Sequence, residues 1–517
     1  MRNIFALAFS IILFISFNLN AQPKRGKIDS TKFEIPQPVQ IVTHHIINIE
    51  GKEIKYTATT GTFLLKNVND TAIALIGFTA YKKEGVNDYN KRPITFAYNG
   101  GPGSSSIWLH MGALGPKRVV LNDPYPVPPA PYKMEDNKYS IIDVTDLVMI
   151  DPVGTGLSKP VGKSKGKDFW GVNEDIKSVS EFIYQYLLKN NRLNSPKFLL
   201  GESYGTTRSA GVSDYLFENK GIAINGIIFV STVFDFQTLS FSKGNDLPYI
   251  LYLPTYAAVS WYHKTLPAQP DNLDTFLKEV EDFSQHEYSN ALFNGSANDS
   301  VEISKVADKL YQFTGISKSY WEKANLRLSE PQFTAELLRE KGVTVGRLDS
   351  RYTGPTDDLI REYSDYDPQS SSISPAFTAT FLEYLHNDLK FPTNQTYHIS
   401  AYSEKGFKWN WNRRAGKRIS PFQNVSVSPD LADVMEKDPY LKVLMLNGYY
   451  DLATPFFATE YTMNHLGNNI PNLKERVHMK YFKAGHMMYI NNDSLPKFKE
   501  YIAEFISKMS APQKAKR

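Results

Sequence analysis

Hydrophobic and polar residues alternate along the first part of the chain and lose this alternation later. Over 39–81 the period is often two, and a polar turn at 50–53 separates two such stretches, which predicts an antiparallel hairpin. Later apolar runs show little alternation, as expected of strands that are buried on both faces of a sheet. These runs lie at 94–98, 147–150, 198–200, 227–230, 443–446 and 479–482.

Helical spacing lies between some of these runs, for example at 172–187. Strands that alternate with helices predict an α/β fold, with a mostly parallel central sheet and antiparallel strands at its N-terminal end. Over 237–440 the strand pattern stops, and helical spacing and aromatic residues dominate. This region is too long for a loop, so we expect a mostly helical cap, inserted between the two parts of the sheet domain at 39–236 and 441–510.

The start of the chain does not fit this fold. A positive charge precedes an almost wholly apolar run at 4–17, and the small residue Ala21 follows, which predicts a secretory signal peptide over 1–21. The apolar run is shorter than the roughly 20 residues of a membrane-spanning helix, although an uncleaved N-terminal anchor is the alternative. We expect a periplasmic or secreted protein without a membrane span in its mature chain, with a loose arm at 22–38 and a basic tail at 511–517.

Composition excludes several classes of protein. The chain has no cysteine, which excludes thiol catalysis, disulfides and cysteine-ligated metals. A net charge of +4 over 517 residues, with scattered Lys and Arg, gives no electrostatic case for binding nucleic acid. The 31 Phe and 31 Tyr residues favour a large folded core over disorder. The acidic residues form no metal-ligand pattern, so we expect neither a metal nor another cofactor.

A serine nucleophile is predicted at the end of one buried strand. The segment 201–205 has the form G-x-S-x-G, between a predicted strand and a predicted helix start, which indicates a nucleophile elbow at Ser203. Asp451 and His486 each follow another predicted strand, and the order Ser, Asp, His is that of α/β-hydrolases. We predict that His486 accepts the serine proton and that Asp451 orients the imidazole. Considered alone, His486 is equally explained as a buried histidine without a catalytic role, and Asp451 as a turn residue. The occurrence of Ser203, Asp451 and His486 in this order favours a catalytic triad.

A glycine-rich loop at 99–103 follows another predicted strand, at 94–98. Acyl transfer needs backbone donors for the oxyanion, and glycine lets the backbone approach a carbonyl closely. We predict that the N–H groups of Gly101 and Tyr204 form this oxyanion hole. The alternative for the loop alone is a structural tight turn.

Four motifs together resemble the serine carboxypeptidase family, in that family's order and at plausible separations. They are Asn99-Gly100-Gly101-Pro102-Gly103-Ser104-Ser105-Ser106, Asp151-Pro152-Val153-Gly154-Thr155-Gly156-Leu157-Ser158, Gly201-Glu202-Ser203-Tyr204-Gly205 and Gly485-His486-Met487. The resemblance covers about 61–508. It implies an α/β-hydrolase fold with a cap, and removal of C-terminal residues from peptides. It also implies a specific set of site residues. These are the triad Ser203, Asp451 and His486, and, for the substrate's terminal carboxylate, Asn99, Gly100 and Glu202.

Three positions depart from the family pattern. Ala97 stands where the family usually has Trp, Ser104 stands where Cys is common, and Ala113 stands where a second acidic residue would pair with Glu202. The stretch 108–113 resembles a bacterial branch of the family instead. These departures affect recognition of a terminal carboxylate more than hydrolysis.

Two alternatives to a carboxypeptidase therefore stay open. One is an esterase or acyltransferase with the same triad; the other is a peptide-binding module without activity. The expected partner is in each case a peptide or a small acyl compound. In the cap, Arg347 and Arg351 offer a cation to a substrate carboxylate, or form a salt bridge with Asp349 on a solvated face. Residues 245–249 and the aromatic residues after them line the pocket or belong to the core of the cap.

Overall fold

The structure is a computed structural model that describes residues 35–415, 418–419 and 424–511. The predicted signal peptide, most of the predicted arm and nearly all of the predicted basic tail lie outside these residues. The described residues form one compact unit. Within the described ranges, no helix is both long and apolar enough to cross a membrane.

A ten-stranded sheet organises this unit, and three two-stranded ladders lie outside it. In chain order the strands are β1 (Gln40–Ile49), β2 (Lys52–Lys66), β3 (Ala72–Lys83), β4 (Ile94–Tyr98), β5 (Lys117–Val119), β6 (Met134–Asp136), β7 (Asp146–Asp151), β8 (Lys159–Pro160), β9 (Lys197–Glu202), β10 (Gly226–Val230), β11 (Val343–Val345), β12 (Thr353–Pro355), β13 (Arg414–Ala415), β14 (Arg418–Ile419), β15 (Lys442–Gly448) and β16 (Val477–Phe482). The order across the large sheet is β1-β2-β3-β7-β4-β9-β10-β15-β16, with β8 beside β3.

The sheet is antiparallel at one end and parallel over the rest. Strands β1, β2 and β3 pair antiparallel, and β3 pairs antiparallel with β7. From β7 to β16 every neighbouring pair is parallel. The first hairpin turns at Glu50 and Gly51, which both have positive φ and leave Ile49 opposite Lys52. This mixed sheet confirms the predicted fold class.

Helices cover both faces of the sheet. In chain order the helices of the described residues are α1 (Ile107–Leu109), α2 (Val172–Lys189), α3 (Tyr204–Lys220), α4 (Leu247–His263), α5 (Leu273–Phe283), α6 (Ser289–Asn294), α7 (Ser300–Thr314), α8 (Lys318–Lys323), α9 (Glu330–Glu336), α10 (Pro368–Glu383), α11 (Ser428–Lys437), α12 (Phe456–Asn464), α13 (Leu473–Arg476) and α14 (Leu495–Ser510). Helices α2, α3 and α11 share one apolar cluster with the sheet, and α10 and α14 share the other. Both faces are buried because successive strand residues point to opposite clusters, as Leu199 and Leu200 do on β9.

The predicted helical insertion lies between β10 and β15. Helices α4 to α9 pack around their own apolar core, which includes Tyr256, Trp321 and Phe333. The same cluster contains Tyr450 and Phe456, which follow β15, so the insertion is packed onto the sheet domain. We refer to helices α4 to α9 and the loops that join them to the sheet domain as the cap.

The parallel strands also determine where the loops meet. Because β4, β9, β15 and β16 run in the same direction, the loops that follow them lie at one edge of the sheet, as in other open α/β sheets. These four loops carry the residues that the sequence singled out.

Candidate active site

Ser203 occupies the sharp turn between β9 and α3. Its φ of 59° and ψ of −129° lie in a region that residues other than glycine rarely adopt, and such strain persists only where the surroundings impose it. Ser203 N donates a hydrogen bond of 2.9 Å to the carbonyl of Val230 at the end of β10, which ties the turn to the neighbouring strand. The turn therefore has the geometry of a nucleophile elbow.

His486 and Asp451 form a buried pair on the two loops that follow β16 and β15. His486 Nδ1 lies 2.8 Å from Asp451 Oδ2. The Asp451 carboxylate also accepts hydrogen bonds from the N–H groups of Ala453 and Thr454, at 2.8 and 3.0 Å, and from the Thr454 hydroxyl at 2.7 Å. These bonds fix the carboxylate, and its contact with Nδ1 leaves Nε2 as the imidazole nitrogen available to a substrate.

The surroundings of His486 change its basicity. Burial lowers the pKa of the imidazole, whereas the charge of Asp451 and the hydrogen bond to it raise this pKa. The charge of Glu202 adds to the upward effect, and the net pKa lies above the ordinary value for histidine. A stronger base at this position accepts a proton from a serine hydroxyl more readily, because general-base efficiency rises with basicity.

Glu202 is a buried carboxyl directly before the serine. Asn99 Nδ2 donates a hydrogen bond of 2.8 Å to Glu202 Oε1, and Asn99 Oδ1 accepts one of 3.0 Å from Leu109 N, which holds the amide in place. Burial raises the pKa of Glu202 to about 7, although the charge of His486 and the hydrogen bond from Asn99 act in the opposite direction. No hydrogen bond reaches Glu202 Oε2 within the described ranges of the chain.

The glycine loop after β4 packs directly on the start of α3. A side-chain carbon at Gly100 would lie 2.5 Å from the backbone nitrogen of Tyr204, so only glycine permits this approach. Gly101 has a φ of +106°, which other residues rarely adopt. Gly101 and Tyr204 both border the cavity at the serine, and neither N–H donates to an acceptor in the part of the chain that the structure describes.

One cavity of about 280 Å³ unites the candidate residues. The structure places at its wall Asn99, Gly100, Gly101, Glu202, Ser203, Tyr204 and His486. Asp451 joins them through its contact with His486 Nδ1. The residues predicted for the triad, the oxyanion hole and the carboxylate site therefore lie together. The described residues hold no group of carboxylates and histidines that could bind a metal ion.

Sequence reasoning missed several residues of this cavity. Trp108, Phe236 and Leu239 lie at its wall. Trp108 stands in the stretch that resembles the bacterial branch, which was the only signal for it. The others carry no local pattern that separates them from core residues.

The two arginines of the cap segment 347–351 have different positions. Arg351 is buried between Asp349, at 2.6 Å, and Asp123, at 2.7 Å, so its salt bridge is internal and not part of a solvated face. Arg347 lies at the wall of the cavity with 52% of its side chain exposed, 3.7 Å from Glu330.

Comparison with known proteins shows which family and which solved structures this chain resembles. A family model described as serine carboxypeptidase matches residues 78–495. No curated protein matches the chain significantly. Among solved structures, a prohormone-processing carboxypeptidase from Saccharomyces cerevisiae is similar at 16% identity, over 92% of each chain and with a TM-score of 0.51, which shows a shared fold. A proline iminopeptidase from Mycobacterium smegmatis is 12% identical over 87% of this chain and 98% of its own, with a TM-score of 0.36.

Proposed function

Because the chain belongs to the serine carboxypeptidase family, whose members hydrolyse peptide bonds, we propose that it releases C-terminal residues from peptides through an acyl-enzyme on Ser203. The strained turn at Ser203 and the buried pair of His486 and Asp451 support this proposal. They lie on strand-end loops at one edge of the sheet, where α/β enzymes bind their substrates.

The reaction follows from these positions. His486 Nε2 accepts the hydroxyl proton of Ser203 as Oγ attacks the carbonyl carbon of the last peptide bond. The oxyanion accepts hydrogen bonds from the N–H groups of Gly101 and Tyr204. His486 then donates its proton to the leaving amine, the C–N bond breaks, and an ester on Ser203 remains. Water then attacks the ester in the same way. His486 takes one proton from the water, the ester bond is cleaved, and the proton passes from His486 to the serine oxygen.

The observation that carries the carboxypeptidase proposal is the buried carboxyl of Glu202 beside the serine. With a pKa of about 7, Glu202 is protonated in acidic solution and can donate a hydrogen bond from Oε2 to the substrate's terminal carboxylate. Asn99, which holds Glu202 Oε1, and Gly100, which lines the same cavity, complete this recognition. An ionised Glu202 would repel the carboxylate.

A digest of two matched peptides tests the proposal. One peptide has a free C-terminal carboxylate, and its twin is amidated. We expect a ladder of one-residue losses from the free peptide, little reaction with the amidated one, and no reaction of either with Ser203→Ala, as read by mass spectrometry. Internal cuts, or equal cleavage of both twins, would contradict the proposal. Reaction with simple esters alone would favour the esterase or acyltransferase.

We also propose that the chain is exported to the periplasm or the medium. The support is the pattern of a charge, an apolar run and a small residue over 1–21. An exported protein should begin at Gln22, which N-terminal sequencing of the protein purified from that compartment measures. A chain that retains its first 21 residues in the membrane fraction would indicate the uncleaved anchor instead.

A further inference from the structure

Arg208 is a fully buried charged side chain that lies one turn beyond Tyr204 on α3. Residues four apart share a face of a helix, so Arg208 lies on the same face as Tyr204. Its Nε donates a hydrogen bond of 2.7 Å to Asp175 Oδ2, in the first turn of α2. Its Nη1 donates another of 2.7 Å to the main-chain carbonyl of Asn99. Arg208 therefore connects the helix that follows the nucleophile with the glycine loop.

Stability alone does not account for this buried ion pair. The side chains of Arg208 and Asp175 are 0% and 2% exposed, so both charges are removed from water. Replacing such a pair by apolar residues of similar volume is often neutral or stabilising, because the cost of desolvation offsets the attraction between the charges. An apolar pair could not, however, donate a hydrogen bond to the Asn99 carbonyl. The place of that carbonyl in the fold therefore indicates the role of the arginine.

The Asn99 carbonyl stands at the start of the loop that carries one proposed oxyanion donor. Gly101 follows two residues later, and neither Gly100 nor Gly101 has a side chain that could anchor the loop. Because glycine backbone adopts many conformations, hydrogen bonds on both sides must define its position. On the downstream side, Ser104 N donates a bond of 3.1 Å to the Gly100 carbonyl. On the upstream side, Arg208 holds the Asn99 carbonyl.

The end of β4 and the start of α3 are in close contact around Arg208. A side-chain carbon at Gly205 would lie 2.9 Å from the Tyr98 carbonyl oxygen and 3.3 Å from that of Asn99. The guanidinium carbon lies 5.0 Å from the ring centre of Tyr98 and 5.4 Å from that of Tyr204, positions that favour a cation. The hydrogen bond to Asn99 therefore determines how the glycine loop lies against the helix.

We propose that Arg208 is a positioning residue for the oxyanion hole. Through its hydrogen bond to the Asn99 carbonyl, it holds the glycine loop against α3, so that the N–H groups of Gly101 and Tyr204 point to one oxygen. The inference rests on the proposed function, because it concerns the donors of the same reaction. It applies to every acyl substrate, whether peptide or ester.

An N-acetylated trifluoromethyl ketone of phenylalanine tests the oxyanion hole separately from substrate binding. The Ser203 hydroxyl adds to its carbonyl: Oγ bonds to the carbon, the proton passes to His486, and the carbonyl electron pair moves to the oxygen, which becomes the oxyanion. The corresponding alcohol has no carbonyl, so it binds without forming an oxyanion. The ratio of the two affinities, measured by calorimetry, therefore reports the oxyanion hole and not the amount of folded protein.

Two variants remove the bond to Asn99. Arg208→Met combined with Asp175→Leu removes both charges of the pair, so the fold should be kept. We expect it to bind the ketone about 10²-fold more weakly than the wild type, as when an oxyanion donor is lost, and to bind the alcohol equally well. Arg208→Lys places a single ammonium opposite Asp175, without the planar fork that also reaches the Asn99 carbonyl. It should weaken ketone binding by about tenfold or more.

A second buried arginine provides the matched control. Arg192 Nη1 donates a hydrogen bond of 2.6 Å to Asp146 Oδ2, and its Nη2 donates one of 2.8 Å to the main-chain carbonyl of Arg92. These contacts lie at the start of β7, at the edge of the sheet opposite the active site. Asp146 also pairs with the Arg92 side chain, so Arg192→Met leaves it with a cation. Arg192→Met should lower the free energy of unfolding but leave the ratio of ketone to alcohol affinity unchanged.

The ratio of affinities decides the inference. An unchanged ratio in either Arg208 variant, once folded, would overturn it. An equal decrease in Arg192→Met would also overturn it, because the effect would then follow from the loss of any buried arginine. A wild type that binds the ketone no more tightly than the alcohol would instead overturn the acyl-enzyme on Ser203, and the oxyanion hole with it. A tight ketone complex in an enzyme that cleaves no peptide would support the positioning role and overturn only the carboxypeptidase reaction.

Discussion

The carboxylate of Asp349, in the cap, accepts a hydrogen bond of 3.1 Å from the backbone N–H of Gly485, the residue before His486. The adjacent Leu348 carbonyl accepts one of 2.7 Å from His486 N, and the Arg347 carbonyl accepts one of 3.0 Å from Leu452 N, next to Asp451. One cap segment therefore holds both loops of the proposed triad. The cap is needed for the shape of the site as well as for covering it.

Arg351 should be essential for this arrangement. Its guanidinium bridges Asp349 and Asp123, and all three side chains are almost fully buried. Arg351→Met leaves two buried carboxylates without their partner, which costs about 3–5 kcal/mol in the free energy of unfolding. Urea denaturation measures this loss, and we expect kcat to fall at temperatures where the variant is still folded, because the loop of His486 loses its anchor.

The surface offers a matched control for Arg351. Lys437 also bridges two carboxylates, those of Glu218 at 2.7 Å and Asp433 at 2.6 Å, but all three side chains are more than two-fifths exposed. Lys437→Met should change the free energy of unfolding far less than Arg351→Met does, and it should leave kcat unchanged, because water and salt screen an exposed ion pair. Similar losses in the two variants would show that burial does not decide the role of Arg351.

Ser203 and His486 should behave as one catalytic unit. We expect Ser203→Ala and His486→Ala each to lower kcat by about 10⁴-fold or more, because the nucleophile and its base act in the same step. The double variant should lose little beyond either single one. Steady-state kinetics on a peptide with a free carboxylate gives the three values, and multiplicative losses would show that the two residues act independently.

Gly101 should supply a donor for the oxyanion. A side-chain carbon at Gly101 would lie 2.7 Å from the nitrogen of Gly103, so Gly101→Ala must displace the loop and its N–H. We expect a loss of about 3 kcal/mol in transition-state stabilisation, measured as kcat/KM. Gly85→Ala is the control: its φ is +70°, with no atom within 4 Å of the added carbon. Unchanged kcat/KM in a folded Gly101→Ala protein would contradict the assignment.

Glu202 should make peptide binding depend on pH. As pH rises through the Glu202 pKa of about 7, the carboxyl ionises and repels the substrate's carboxylate, so KM for a free peptide should increase. An amidated peptide has no carboxylate to repel and should lack this increase. Glu202→Gln keeps a donor but cannot ionise, so its KM for the free peptide should stay flat. Identical KM profiles for both peptides and both proteins would leave the carboxypeptidase proposal without its main support.

The same carboxyl should make stability depend on pH. The pKa of Glu202 is about 7 in the folded protein against an ordinary 4.5, so its protonated form stabilises the fold fully below pH 4.5. This contribution, about 3 kcal/mol, is lost as pH rises from 4.5 through 7. In urea titrations, the wild type should therefore lose stability relative to Glu202→Gln as pH rises from 4.5 through 7. A difference between the two proteins that stays constant over this pH range would contradict burial as the cause.

Local patterns predicted the framework of the sheet. The apolar runs at 94–98 and 443–446 lie within β4 and β15, and the turn at 50–53 lies in the first hairpin. Strands buried on both faces need continuous apolar residues, so the signal is local and strong. The positions of Phe236 and Leu239 at the active-site cavity had no such signal, because the segment that carries them arrives there through the packing of distant parts of the chain.

The sequence by itself determined the fold class, the family and the candidate residues. This was possible because a nucleophile elbow is a local strand–turn–helix motif, and because parallel strands bring their following loops to one edge. Only the tertiary structure decided that Glu202 is buried enough to hold a proton near neutral pH, and that Asp349 supports the loop of His486. Desolvation and salt bridges depend on which chain segments cover a group, and here those segments lie more than a hundred residues away along the chain.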